Sequence, residues 1–62
     1  MQVLIVDVSL GGVGFRSPAE FTSGTLWRIH IGTGPIFLSS RLKVIGSRPR
    51  KDGTWEVGAE FL

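Results

Sequence analysis

Near the start of the chain, a carboxylate at Asp7, a hydroxyl at Ser9 and two bare backbone positions at Gly11 and Gly12 lie close enough together to recognise a small polar molecule. An ionised carboxylate only accepts hydrogen bonds, and its two oxygens suit a ligand edge that offers parallel N–H donors. A hydroxyl two residues on adds a contact of either sense. Glycines remove the side chains that would keep a ligand away from the main chain. Arg16 follows on the next stretch and brings a guanidinium fit to grip phosphate or carboxylate. The same residues also have a purely local reading. Asp and Ser side chains fold back onto nearby backbone N–H groups, so Asp7 and Ser9 can cap their own turn, with glycine there supplying positive φ. The spacing leaves both readings open.

Catalytic arrangements are lacking. Glu56 and Glu60 share a strand face, but four residues at about 3.3 Å each place them roughly 13 Å apart. Paired glycosidase carboxylates sit about 5–9.5 Å apart. His30 is the single histidine, and no cysteine exists to make a nucleophilic pair, a disulfide or a thiolate metal site. The expected activity is binding, with no catalytic residue, metal or resident cofactor.

The elements that must hold these residues are strands. Period-2 alternation runs through the chain, and no stretch supports a helix of useful length. Gln2 to Val8 is nearly all apolar, which predicts a strand covered on both faces. Val13 to Ser17 points Val13 and Phe15 one way and Gly14 and Arg16 the other. Ser17 to Gly24 is a loop, with Phe21 tucked back as a plug. Thr25 to Ile31 places Trp27, Ile29 and Ile31 on one face and Leu26, Arg28 and His30 on the other. A turn at Gly32-Thr33-Gly34-Pro35 precedes a long strand, Ile36 to Ser47. There Leu38, Leu42 and Val44 share one face, Phe37, Arg41 and Lys43 the other, and Ser39-Ser40 marks an expected bulge. Arg48 to Gly53 contains Asp-Gly, a hairpin signal. Thr54 to Phe61 alternates most clearly, with Trp55, Val57, Ala59 and Phe61 inward. Five short antiparallel strands make an all-β protein, a small barrel or sandwich forming one domain over residues 1–62.

Sixty-two residues form a small core, so a lone monomer is marginal and burial against another copy is a natural remedy. No apolar run approaches the roughly 20 residues of a membrane span, and the expected location is the cytoplasm. The net charge of +2 is too slight an excess for nucleic acid to be the expected partner. Arg48, Arg50 and Lys51 read as charges at a hairpin tip, for solubility or as a patch for an anionic partner. Leu10, and Phe21 if uncovered, would suit a partner surface.

With the strands in place, Asp7-Val8-Ser9-Leu10-Gly11-Gly12 is similar to the Asp/Asn-x-Ser-x-x-Gly signature of PilZ domains, with Asp7, Ser9 and Gly12 on the named positions. Gly24-Thr25-Leu26 resembles that family's strand entry, and Val57-Gly58-Ala59-Glu60-Phe61 its closing Val-Gly-x-x-Phe. The resemblance runs from about Val3 to the end. It implies a β-barrel, six-stranded in the family, that commonly receives the bacterial second messenger cyclic di-GMP. Asp7, Ser9, Gly11, Gly12 and Arg16 would be the ligand-binding residues, Asp7 accepting from the N1–H and N2–H₂ edge of guanine. The chain departs from the pattern in two ways. The six residues before Asp7 contain neither the family's Arg-x-x-x-Arg nor any basic residue, and one family strand is missing. Two functional expectations follow. The first is a cyclic di-GMP receptor that signals through protein contacts and assembles as a homo-oligomer. The second is a degenerate interaction module that binds no nucleotide and works through an unknown protein partner.

Overall fold

A computed structural model describes residues 3–33 and 36–62. Five strands follow one another: β1 (Leu4–Val8), β2 (Gly12–Ser17), β3 (Leu26–Thr33), β4 (Ile36–Pro49) and β5 (Trp55–Phe61). They form one antiparallel sheet in the order β1-β2-β5-β4-β3. The all-β expectation and the five strands hold, but the sheet does not close into a barrel. β1 and β3 remain its two edges.

The core comes from the inward alternation of the three central strands. Val13 and Phe15 of β2, Leu42 and Val44 of β4, and Val57 and Ala59 of β5 are buried against one another. Phe21 is the plug that the loop sequence predicts. It lies edge-on to Phe15, with ring centroids 5.3 Å apart, and against Trp27 at 4.8 Å. Its backbone is held on both sides by Ser47 of β4, whose hydroxyl donates to the Phe21 carbonyl and accepts from the Phe21 amide. A half-buried polar side chain thus spends its hydrogen-bonding capacity fixing an apolar residue.

Several expectations need correcting. β1 is not covered on both faces: Val3 and Ile5 pack against the core, whereas Leu4 is 62% exposed, with Val6 and Val8 also exposed. An edge strand has one neighbour, and the open sheet brings no second layer over it. Ser39 and Ser40 pair regularly with His30 and Ile29. The register breaks fall instead between Ile5 and Asp7, and between Val44 and Gly46. Gly32 and Thr33 continue β3 rather than turning, and Thr33 faces Ile36. Arg48 and Pro49 belong to β4 rather than to a tip. Trp27 is 48% exposed because it sits on the outer edge strand, where its indole N–H donates to the Thr25 hydroxyl. Gln2, Gly34 and Pro35, and the facing expected of Ile31, Phe37 and Leu38, lie outside what is described. Because β1 and β3 do not meet, an apolar cleft of about 630 Å³ stays open between them, lined by Ile5, Phe15, Phe21, Trp27, Ile29 and Leu42 among others.

The β4–β5 hairpin closes as Asp-Gly predicts. Gly53 takes φ 87°, a region that side chains disfavour. The Arg50 amide donates to the Thr54 carbonyl at 2.8 Å. Asp52 accepts from the Thr54 hydroxyl and from the Thr54 amide at 2.9 Å. These two bonds, helped by the nearby Arg50 guanidinium, hold the Asp52 carboxyl below its ordinary value of 3.8. A carboxyl whose folded value lies below its unfolded one stabilises the fold above the unfolded value, and the contribution fades as pH falls through the folded one. In urea titrations, the stability advantage of the wild type over Asp52→Asn is therefore expected to persist at pH 6 and to shrink below about pH 4. An advantage independent of pH would contradict this.

Candidate functional site

The register places a line of small residues across the outer face. Asp7 of β1 faces Gly14 of β2, Gly14 faces Gly58 of β5, and Gly58 faces Gly46 of β4. Three adjacent strands thus present bare backbone at one level, beside a carboxylate. A Cβ at Gly58 or Gly46 would meet nothing within 4 Å, and neither residue takes a positive φ. Neither packing nor backbone conformation requires glycine there, and the floor is simply open.

Both register breaks fall at this level. Val6 is the extra residue of β1 beside Asp7, and Ile45 is the extra residue of β4 beside Gly46. A bulge re-aims a side chain and bends its strand. Here the two bulges stand exposed aliphatic groups at opposite ends of the glycine line. The result is a shallow depression of about 470 Å³ lined by Val6, Asp7, Gly14, Ile45, Gly46, Arg48, Glu56 and Gly58, among others.

One level along the strands lies a charged line. Arg16 of β2 faces Glu56 of β5, which faces Arg48 of β4. Glu56 pairs with neither of them in an ion pair. Its carboxylate is 3.4 Å from Nη1 of Arg50, and Arg50 also lies 3.7 Å from Asp52. Among the described residues no ion pair engages Arg16 or Arg48, and the Arg16 Nε is buried without a hydrogen-bond partner. Among the described residues no hydrogen bond or ion pair engages the Asp7 carboxylate either, which is exposed.

Of the other sequence-predicted residues, Ser9 and Gly11 lie in the β1–β2 turn and Gly12 opens β2, and none of the three lines this depression. The Ser9 amide donates to the Gly12 carbonyl at 2.9 Å, and the Ser9 hydroxyl makes a long contact of 3.4 Å to the same oxygen. Gly11 is exposed, and its carbonyl accepts from the Phe61 amide at 3.0 Å. Neither Gly11 nor Gly12 has a positive φ. Gly12 instead answers to close packing, since a Cβ there would stand 2.4 Å from the Ala59 carbonyl oxygen. The structure therefore sets Asp7 and Arg16 on the open outer face and commits the Ser9–Gly12 backbone to holding the turn.

This layout of turn motif, open outer face and closing strand agrees with the comparison of the chain against protein families. The family model described as PilZ domain matches residues 1–62, the whole chain. The chain belongs to the PilZ family. Comparisons with curated proteins and with solved structures found no match. PilZ domains are receptors and adaptors rather than enzymes, and the family is one of cyclic di-GMP receptors. Among the described residues no helix is long and apolar enough to cross a membrane. Sequence reasoning missed Arg48, Gly46, Gly58 and the two bulge residues as members of this PilZ outer face. The Asp-Gly signal alone could not have supplied Arg48, because a two-residue turn would set Glu56 opposite Pro49; the observed three-residue loop, with Arg50 opposite Thr54, sets it opposite Arg48.

Proposed function

We propose that this PilZ domain is a cytoplasmic cyclic di-GMP receptor, with one guanine of the ligand lying on the glycine line and its N1–H and N2–H₂ edge donating to Asp7. The observation that carries this reading is the Asp7 carboxylate, left without a partner at the end of three side-chain-free strand positions. A planar base can lie flat on bare backbone. A carboxylate fixed on a strand rather than a loop discriminates guanine, which offers two donors on that edge, from adenine, which does not.

Calorimetric titration with cyclic di-GMP tests the reading. Asp7→Ala is expected to weaken binding at least about 100-fold, because it removes a two-bond charge-assisted contact worth about 3 kcal/mol or more. Gly58→Val places a side chain in the open floor, and is expected to keep the fold while excluding the base. Equal affinity for the wild type and both variants would contradict the proposal.

A second reading is favoured by the exposed aliphatic residues Leu4, Val6, Val8, Leu10 and Ile45. Clustered exposed apolar groups mark contact surfaces. In this reading the chain works as an interaction module, and the open β1 and β3 edges support self-assembly into a homo-oligomer. A monomeric mass at micromolar concentration would argue against the assembly.

A further inference from the structure

We infer that Arg16 and Arg48, set on either side of Glu56, form the phosphate-gripping wall of the outer-face site. This inference rests on the cyclic di-GMP reading above and says which residues complete that site.

The charged line lies two residues along each strand from the glycine line: Gly14 to Arg16, Gly58 to Glu56, and Gly46 to Arg48. Two residues of strand advance about 6.6 Å, and two strand spacings separate Arg16 from Arg48 by about 10 Å. Arg48 lines the depression itself, and Arg16 stands beside it on a stem long enough to swing toward the edge of a molecule lying on the glycine floor. A nucleotide whose base covers that floor would bring its phosphates to one of the two flanking lines.

The charges decide which one. On the far side stand Gly12, Glu60 and Lys43, where Glu60 and Lys43 face each other with opposite sign. On the near side two arginines flank one glutamate, and that glutamate is drawn away by Arg50 at 3.4 Å. Arg50 thus neutralises the one negative charge on this line, while the two arginines keep their donors. Arginine forks match phosphate geometry with two parallel bonds, and a cyclic dinucleotide with two phosphates gives each arginine one to hold.

The test is titration of the full chain with cyclic di-GMP at two salt concentrations, using wild type, Asp7→Ala, Arg48→Gln, Arg16→Gln and the double arginine variant. Arg48 is exposed, so its variant is expected to melt like the wild type. Each single arginine variant should bind about tenfold more weakly, the loss expected for one charge-assisted contact. The double variant should lose more than either, and most of the salt dependence with it. If Asp7→Ala loses binding while the double variant binds like the wild type, the wall is wrong and the guanine reading stands. If the wild type itself takes up no cyclic di-GMP, or if all variants bind equally, the reading and the wall fall together.

Discussion

Phe15→Ala is expected to leave the chain largely unfolded at room temperature. Phe15 is 3% exposed and belongs to β2, the strand that joins edge strand β1 to the centre of the sheet. Its ring supports Phe21 edge-on, and Phe21 in turn supports Trp27, so one truncation undermines three aromatic groups. Phenylalanine-to-alanine changes in cores cost about 3–5 kcal/mol. A chain of this length has a total stability of about 3–9 kcal/mol, taken at about 0.05–0.15 kcal/mol per residue. The loss is also poorly absorbed here, because the apolar cleft beside Phe15 is already open and its walls have nothing to collapse onto. Circular dichroism with urea titration reads the outcome. A variant that still unfolds cooperatively, at a midpoint near that of the wild type, would show that the core does not depend on this ring.

Gly12→Ala and Gly11→Ala should differ in sign, although the two positions are neighbours in the same motif. At Gly12 the new methyl would stand 2.4 Å from the Ala59 carbonyl oxygen, a backbone atom that cannot rotate away. β2 and β5 must part to admit it, and overpacking of this kind costs about 1–3 kcal/mol. At Gly11 a Cβ meets nothing within 4 Å and φ is not positive. Alanine there restricts the unfolded chain without straining the folded one, and should be neutral or stabilise by about 0.4–1 kcal/mol. Urea midpoints of the two variants decide the matter. Equal losses would mean that both glycines serve the turn itself rather than the packing between strands. The practical corollary is that ligand binding lost in Gly12→Ala says little about contact with ligand, whereas loss in Asp7→Ala speaks to it directly.

The strands were legible because the alternation of apolar residues in β2 and β5 is a local property, and because Asp52-Gly53 announces its hairpin. Phe21 as a plug was legible too, being an aromatic residue stranded among turn residues. What alternation cannot reveal is which strands lie side by side. β1 reads as a buried strand because Val3 to Val8 is apolar at every position but Asp7, and only the sheet order shows that it is an edge. The bulges at Val6 and Ile45 lie inside the β1–β2 and β4–β5 hairpins and show only in the register of the paired strands, which apolar alternation does not carry, so the serine pair drew the expectation away from them. The candidate site was half legible. Asp7 and Arg16 lie in one hairpin and could be read together, but the line from Asp7 through Gly14 and Gly58 to Gly46 exists only once β5 has been inserted between β2 and β4.

That insertion has a consequence for how the molecule comes together. β1 with β2, β3 with β4, and β4 with β5 are hairpin neighbours in sequence, whereas β2 with β5 joins Gly12 to Glu60 and Ser17 to Trp55. Pairings so remote along the chain must overcome the greatest loop-closure entropy and are intrinsically slow. The middle of the sheet is thus its kinetic seam, where an N-terminal hairpin docks onto a preformed three-strand unit. The outer-face depression straddles this seam, with Asp7 and Gly14 on one side of it and Gly58, Gly46 and Arg48 on the other. A molecule bound there would act as a stitch between the two halves, and its occupancy would be read in the rate at which the whole chain comes apart.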